Sequence, residues 1–250
     1  MQLERATRRH DRSPLEKAYA RPAGRKLPGK RPAHALTGSR PSATILNEQS
    51  FRLAGGETWA MTIDGTNKRA AILQAALELF TERGVDGTVI PMIAERAGVG
   101  TGTIYRYFVS KEELGNAVYQ EWKGRFYHAI TDGFPTHAPA LTRFQFLWAQ
   151  MVQFALQNPT AFTFLETHHH APYLNEASHA ALDKVMRFLR AFMEDLIEQQ
   201  IAKPLPADAL VAMVLGAFIG LFKAVHVGSL ILTPAIIEAI GQGCWESIRR

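Results

Sequence analysis

Apolar residues recur at helical spacing along most of the chain from residue 67 onward. The segment 67–83 shows the pattern clearly, because its apolar positions fall three and four residues apart and Gly84 follows it. Those positions are Ile72, Ala75, Ala76, Leu79 and Phe80. The sequence lacks the strict alternation of apolar and polar residues that is typical of strands. The pattern therefore predicts an all-α protein with about nine helices.

Proline and glycine residues mark where the later helices begin and end. The predicted helices are 111–131, 141–156, 160–169, 176–201, 208–228 and 234–248. The helix 208–228 is apolar on nearly all sides, so we expect it to be buried on more than one face. Burial within a domain together with a subunit interface satisfies that requirement.

The segment 88–100 predicts a short helix that ends in a tight turn. Thr88 is its predicted N-cap, because a hydroxyl accepts from a backbone N–H that has no partner within the helix. Pro91 falls in the first turn, where a missing N–H has no cost. Gly98 supplies the permissive backbone for the turn. Four apolar residues give the helix one buried stripe: Ile90, Ile93, Ala94 and Ala97.

A second short helix follows, and it carries the candidate DNA-binding chemistry. Ile104 and Phe108 lie four residues apart and are predicted to pack inward. The side chains that turn to the other faces are Thr101, Thr103, Tyr105, Arg106 and Tyr107. Hydroxyl and phenol groups bind phosphate, and an arginine reads guanine edges in the major groove. The alternative is a generic helical hairpin with a chance polar face.

The order and spacing of this segment resemble the helix-turn-helix of the TetR/AcrR family of bacterial transcriptional regulators. The resemblance covers about 67–122, and the residues that carry it are Ile93-Ala94, Ala97-Gly98-Val99, Gly102-Thr103-Ile104-Tyr105, Tyr107-Phe108 and Ser110-Lys111-Glu112-Glu113-Leu114. The chain differs from the usual family pattern at Gly100, Val89 and Pro91. These differences concern the operator sequence and not the fold.

The resemblance implies that a dimer places two such helices on a palindromic DNA operator. The residues implied to contact DNA are Thr88, Thr101, Gly102, Thr103, Tyr105, Arg106, Tyr107 and Lys111, with Thr88 and Lys111 on phosphates. In the family, the last two helices pair with those of a second subunit, and the middle helices bind an inducer. The expected partners are therefore double-stranded operator DNA, a small-molecule effector and a second copy of the chain.

Three regions are predicted along the chain: a disordered basic segment 1–60, a helix-turn-helix domain 66–126, and a helical effector-binding and dimerisation domain 127–250. The first region holds 12 of the 28 Lys and Arg residues but only 5 of the 23 Asp and Glu residues. Its low apolar content predicts disorder. It is interpreted as a basic arm that adds DNA affinity, as an inert tail, or as an artefact of start assignment with Met61 as the true start.

The middle helices are rich in aromatic residues, a composition that suits an apolar ligand pocket. The predicted lining residues are Trp148, Phe154, Phe164, His168, Phe188, Phe192 and Phe222. The alternative for each of them is ordinary core. The run from His168 to His170 does not predict a metal site, because consecutive helical residues point about 100° apart. No cofactor is predicted.

Other classes of protein fit the sequence less well. It contains no phosphate-binding glycine loop, nucleophile elbow or zinc signature, so we expect no enzyme. Cys244 is the single cysteine, which fits a reducing cytoplasm. The uncharged apolar run 209–222 is short for a bilayer core of about 30 Å. The prediction is a cytoplasmic repressor released by an effector; the alternatives are an activator of the same family or a ligand-binding helical protein that has lost DNA binding.

Overall fold

Nine α-helices make up most of residues 65–250, the part of the chain that the computed structural model describes, with side chains from Lys68 onward. They are α1 Gly65–Arg83, α2 Ile90–Ala97, α3 Thr101–Tyr107, α4 Lys111–Thr131, α5 Ala140–Gln157, α6 Pro159–His168, α7 Glu176–Glu198, α8 Ala207–His226 and α9 Pro234–Ile248. Residues 65–250 contain no β-strand, and one isolated bridge pairs Ala202 with Arg249. The predicted all-α fold is confirmed. The predictions for residues 1–60 and for a start at Met61 lie outside the described residues.

The first three helices share an apolar core that fixes the orientation of α3. Ile72 on α1, Ile93 on α2 and Ile104 on α3 are all fully buried. Gly98 ends α2 with a φ of 65°, a left-handed conformation that glycine adopts without strain. The N–H of Val99 donates to the carbonyl of Ala94 at 3.0 Å and closes the turn. The predicted helix, turn and second helix are therefore all present.

Thr88 does not have its predicted role. The N-cap of α2 is Val89, which makes no side-chain capping bond. The side chain of Thr88 is fully buried, and its hydroxyl donates to the carbonyl of Gly84 at 2.8 Å. The carbonyl of Leu79 is a second acceptor for the same hydroxyl, at 3.2 Å. Thr88 therefore stabilises the turn between α1 and α2. The predicted contact with a DNA phosphate is wrong, because a fully buried hydroxyl cannot reach a phosphate.

The helix α4 connects the helix-turn-helix to the C-terminal half. The Ser110 hydroxyl caps it by accepting from the N–H of Glu113 at 3.1 Å, and the Glu113 carboxylate accepts from the N–H of Val109 at 2.5 Å. α4 packs against α1, α5, α6 and α7. The predicted domain boundary between residues 126 and 127 falls inside this continuous helix, and the division into domains stays a prediction.

The C-terminal half is built around α4. α7 packs against both α4 and α8, and α9 packs against α8 and α5. α7 ends at Glu198 and not at the predicted residue 201, because Gln200 adopts a φ of 57°. The Arg143 guanidinium donates to the Asp195 carboxylate at 2.6 Å and ties α5 to α7.

Among the helices of residues 65–250, α8 alone is long and apolar enough to match a membrane span by length and composition. In the most apolar 18-residue stretch of α8, 33% of the residues are buried. A core helix of a soluble protein passes the same test, so the match is weak evidence for a span. The uncharged run 209–222 is shorter than the helix because Asp208 and Lys223 lie within α8 on either side of it.

The backbone of α9 approaches α5 closely at Gly241. A Cβ atom at this position would lie 2.6 Å from Nε1 and 2.7 Å from Cδ1 of Trp148, whose N–H donates to the Ile237 carbonyl at 3.0 Å. We expect Gly241→Ala to lower the free energy of unfolding by ~1–3 kcal/mol, because the buried indole has to move. Urea denaturation measures this loss. Gly124→Ala, where a Cβ meets no atom within 4 Å, is the control, and an equal loss there would contradict the steric explanation.

Candidate nucleic-acid interface and effector cavity

The outer face of α3 is the candidate nucleic-acid interface. Ile104 is fully buried and Phe108 is 4% exposed, so the predicted inward pair is confirmed. These two side chains hold the helix while Tyr105 is 55% and Tyr107 is 39% exposed. The other predicted residues of α3 are exposed at Thr101, Gly102 and Arg106 and half-buried at Thr103. The structure thus brings them together on one short helix, while their contact with DNA stays a prediction.

Two basic residues beside α3 already have protein partners. The Lys111 ammonium is half-buried and donates to the carbonyl of Thr88 at 3.1 Å, which links the start of α4 to the turn before α2. The Arg69 guanidinium lies 5.6 Å from the ring centroid of Phe108 and 3.9 Å from the Glu121 carboxylate. An ammonium has three donors, so Lys111 keeps donors for a phosphate. Its predicted phosphate contact remains a prediction.

Val109 is an exposed residue of this region that the sequence pattern does not indicate. Its side chain is 82% exposed and lies directly after α3, where its N–H is fixed by the Glu113 carboxylate. A single valine between two helices has no periodic signal, so sequence reasoning had no means of finding it. Its position makes it a candidate for apolar contact with sugar or thymine methyl groups.

A cavity of about 150 Å³ lies among the middle helices, and we call it the central cavity. Its walls come from α4, α5, α6, α7 and α8, and most of the lining is apolar. The aromatic residues that line it are Phe126, Phe154, Phe162 and Phe218. Three polar residues also line it: Lys123 from α4, Glu166 from α6, and His169, which directly follows α6. An apolar cavity with a few converging polar groups is the usual form of a small-molecule site.

The seven residues predicted to line one pocket do not lie together. Phe154 alone of the seven lines the central cavity. Trp148 and Phe192 line a separate cavity of about 20 Å³, and Phe222 lines a groove of about 410 Å³ on the outer side of α6 and α8, here called the outer groove.

The other three predicted pocket residues make ring contacts within the protein. Phe164 stacks on Phe80, with the centroids 6.4 Å apart, and on His168 at 4.4 Å. Phe188 packs edge-on against Phe134 at 5.3 Å. Burial lowers the pKa of His168, whose Nδ1 lies 3.0 Å from the Phe164 carbonyl. Ordinary core packing, the alternative interpretation, accounts for these contacts.

Lys123 is the residue of the central cavity that sequence reasoning missed. It is 7% exposed, and its Nζ lies 5.6 Å from the ring centroid of Tyr119. Burial lowers the pKa of Lys123, and the negative charge of Glu166 acts in the opposite direction. The sequence did contain a signal, because position 123 falls on the same stripe of α4 as Tyr119, Phe126 and Ile130, all of which are buried.

Two buried phenols near Lys123 have no hydrogen-bond partner among the residues that the structure describes. They are the hydroxyls of Tyr119 on α4 and Tyr173 in the segment between α6 and α7. Burial, with the charge of Glu166 adding to it, raises the pKa of Tyr119 to about 12. Neither phenol lines the central cavity, and the Nε of Arg143 on α5 is likewise buried without a partner, so unpartnered polar atoms of this kind also occur in the packed core.

The chain matches two family models of bacterial regulators. Residues 72–118 match the model for bacterial regulatory proteins of the tetR family. Residues 119–250 match the model for the tetracyclin repressor-like C-terminal domain. The chain belongs to the TetR family. The resemblance found in the helix-turn-helix segment is therefore confirmed, and with it a fold that joins a helix-turn-helix to a helical C-terminal domain.

Individual relatives support the same family. An uncharacterised helix-turn-helix regulator of Bacillus subtilis is 36% identical over 81 residues, which are 31% of this chain and 41% of that protein. The repressor KstR2 of Mycobacterium tuberculosis is 31% identical over 140 residues, 54% of this chain and 61% of the repressor. The chain therefore aligns with less than two thirds of each of these relatives. A TetR-family regulator from Marinobacter aquaeolei has the same fold, with a TM-score of 0.67 at 22% identity, over 74% of this chain and 96% of that structure.

The histidine run near the cavity does not form a metal site in the structure. No group of three or more His, Cys, Asp or Glu residues lies close enough to hold an ion within the part of the chain that the structure describes. The imidazole of His169 bonds to the Glu166 carbonyl at 2.7 Å, and the rings of His169 and His170 lie 4.0 Å apart. His169 therefore contributes to the central cavity as a polar wall residue.

Proposed function

We propose that this TetR-family protein is a homodimeric transcriptional repressor that binds a palindromic operator and releases it when a small molecule enters the central cavity. The observation that carries the proposal is the arrangement of α3. Buried Ile104 and Phe108 hold the helix, and hydroxyl, phenol and guanidinium groups face outward from it. An exposed face of this composition on the second helix of a helix-turn-helix suits the major groove.

Each polar residue of α3 has a distinct role in this proposal. Arg106 reads a guanine edge through its forked donors. Tyr105, Tyr107 and Thr101 bind phosphates and set the position of the helix in the groove. Gly102 lacks a side chain and lets the backbone come close to the DNA. Thr103, which is half-buried, contributes from the edge of the face, and Lys111 adds a phosphate contact from α4.

The dimer contact is assigned to α8 and α9. The exposed positions of these two packed helices include many small or apolar side chains: Ala209, Ala212, Met213, Gly216, Gly220, Ala235, Ala239 and Gly243. Such a surface is costly in water and favours close approach of a second copy. A two-fold axis through it places two α3 helices on successive half-sites, about 34–36 Å apart in the simplest helix-turn-helix geometry.

The effector acts by population shift. A ligand that binds more tightly to one spacing of the two α3 helices increases the fraction of dimers with that spacing. The central cavity is suited to this control, because α4 contributes Lys123 to its wall and begins directly beside the helix-turn-helix. A regulator that binds operator DNA and a small-molecule effector is expected to act in the cytoplasm.

Arg106→Ala tests the assignment of the reading helix. We expect operator affinity to fall about tenfold to a hundredfold per half-site, because a bidentate contact to guanine is lost. The preference at one base position should relax at the same time. Fluorescence anisotropy on an operator selected by the wild-type protein from random duplexes measures both effects.

Arg187→Ala removes an exposed arginine from α7 and is the matched control. It should leave affinity and base preference unchanged. If Arg106→Ala also left both unchanged, Arg106 would not be a reading residue. Binding by the wild-type protein that is weak and insensitive to sequence would instead favour a ligand-binding protein without operator recognition.

A further inference from the structure

Lys123 is a largely buried lysine on the wall of the central cavity, and its ammonium lies 5.6 Å from the centroid of the Tyr119 ring. Lys123 is 7% exposed, and in residues 65–250 the structure records neither a hydrogen bond nor an ion pair for its ammonium. Glu166 lines the same cavity, but its carboxylate is not within salt-bridge distance of Lys123. Leaving a charge buried and unpaired is costly, so such groups are normally paired with an opposite charge.

Arg143 is a second buried cation in this fold, and its role is structural. It is 8% exposed, close to the value for Lys123, and its guanidinium is 2.6 Å from the Asp195 carboxylate. Burial of that cation is therefore compensated within the protein. Lys123 has the same burial without the compensation, and it lies at the wall of an empty space lined by aromatic rings. The missing partner is best supplied by whatever occupies that space.

We infer that the effector is a small monocarboxylate, with an apolar body about the size of one aromatic ring, and that Lys123 binds its carboxylate. This inference rests on the proposed function and specifies its effector. A cavity of about 150 Å³ is comparable to cavities that hold a benzene molecule. Phe126 and Phe154 meet edge-on at 5.0 Å, and a further ring fits this type of packing.

Glu166 restricts the charge of the ligand. Glu166 lines the same cavity as Lys123, so we expect its negative charge to disfavour a dianion such as a phosphate monoester more strongly than a monoanion. Glu166 also lines the outer groove, together with Phe162 and Ile219. These three side chains line both spaces, and we expect the ring of the ligand to lie on their central-cavity side. The site is therefore specific for one charge and for a short body.

Direct ligand binding without DNA tests the inference. Isothermal titration calorimetry on the full chain compares benzoate, phenylacetate and hexanoate with benzamide and phenyl phosphate. We expect at least one of the carboxylates to bind about tenfold or more tightly than benzamide, because a charge-assisted bond to Lys123 forms, and phenyl phosphate to bind more weakly than that carboxylate. Equal binding of benzoate and benzamide, or no binding of any of the carboxylates, would overturn the inference.

Lys123→Met keeps the apolar stem and removes the charge. We expect the variant to lose the preference for carboxylate over amide while it still binds benzamide. Lys184→Met removes an exposed lysine of α7 and should keep the preference. Retention of the carboxylate preference in Lys123→Met would show that another group binds the anion. The thermal midpoint of Lys123→Met without ligand should rise, since an uncompensated charge is removed, and this result also verifies that the variant folds.

These measurements separate the effector class from the regulatory function. Operator binding by the wild-type protein is measured independently of any ligand. If the protein binds its operator but no carboxylate, the effector class is wrong and the regulatory function stands. If a carboxylate binds through Lys123 but no operator is recognised, the inference about the cavity stands and the repressor function does not.

Discussion

Gly216→Arg is expected to convert the dimer into a monomer and to weaken operator binding about a hundredfold to ten-thousandfold. Gly216 lies on the exposed side of α8, in the middle of the surface assigned to the dimer contact. Two helices approach closely where their contact residues are small, and a guanidinium at that contact both separates the helices and buries a charge. A monomer then binds one half-site of the operator and makes no contact with the second.

The position allows this test without damage to the subunit. A Cβ atom at Gly216 would meet no protein atom within 4 Å. Replacing glycine in an exposed helix position also favours the helix, by up to about 1 kcal/mol. The substitution is therefore selective for the interface, whereas a change at Gly241, whose Cβ would lie 2.6 Å from Trp148, alters the subunit itself.

Sedimentation velocity and operator titration measure the two consequences of Gly216→Arg. Gly124→Arg introduces the same side chain on α4, where a Cβ also meets no atom within 4 Å, and should remain dimeric. Circular dichroism confirms that both variants keep their helices. A Gly216→Arg protein that stays dimeric and binds the operator normally would place the dimer contact elsewhere on the surface.

The helix-turn-helix could be predicted closely from the sequence, because its signals are local. The burial of Ile104 and Phe108 follows from their spacing of four residues, and Gly98 marks a turn that requires a left-handed backbone. Thr88 shows the limit of the same reasoning. A threonine before a helix is typical of an N-cap, but here its hydroxyl turns back to the Gly84 carbonyl. The orientation of the Thr88 hydroxyl depends on how α1 and α2 pack, and a local sequence pattern does not specify that packing.

The central cavity could not be predicted to the same extent. Helical periodicity distinguishes buried from exposed positions, and the burial of Phe164 and Phe192 agrees with the core alternative given for the predicted pocket residues. Periodicity does not predict which buried helix faces pack directly against one another and which leave a cavity between them. An aromatic-rich composition therefore gave seven pocket residues, of which Phe154 faces the central cavity. Lys123 does carry a signal in the sequence, because it is a cation within the apolar stripe of α4.

A buried polar cluster connects the region of the cavity to the helix that leads to α3. The Asn116 amide on α4 donates to the carbonyl of Tyr173 at 2.8 Å, and its oxygen accepts from the N–H of Asn175 at 2.8 Å and from the Ser178 hydroxyl at 2.6 Å. A further bond to the Glu112 carbonyl at 2.8 Å satisfies the second amide hydrogen. All four bonding positions of this side chain are therefore used, three of them between α4 and residues 173–178, which lead into and begin α7.

We expect Asn116→Leu to lower the free energy of unfolding by ~3 kcal/mol, because it leaves the Tyr173 carbonyl, the Asn175 N–H and the Ser178 hydroxyl without their partner. Asn116 is 4% exposed and Ser178 is fully buried, so water cannot replace the lost bonds easily. Thermal and urea denaturation measure the loss. Gln120→Leu removes bonds of 3.1 and 3.0 Å to Asn175 and Ser178 from the half-buried edge of the same cluster, and it should cost ~1 kcal/mol or less.

Asn116→Leu should also weaken the coupling between ligand binding and operator binding. Glu166 and His169 belong to the wall of the central cavity, and the chain passes from them through Tyr173 to the start of α7. Asn116 holds that segment to α4 two helical turns before Lys123 and close to Lys111, which begins the helix beside α3. With the bonds removed, a ligand should still bind, but it should change operator affinity by a smaller factor than in the wild-type protein. A titration of operator affinity against benzoate, or the carboxylate that binds best, measures this factor. An unchanged factor in Asn116→Leu, with the expected loss of stability, would show that the cluster stabilises the fold without transmitting the effect of the ligand.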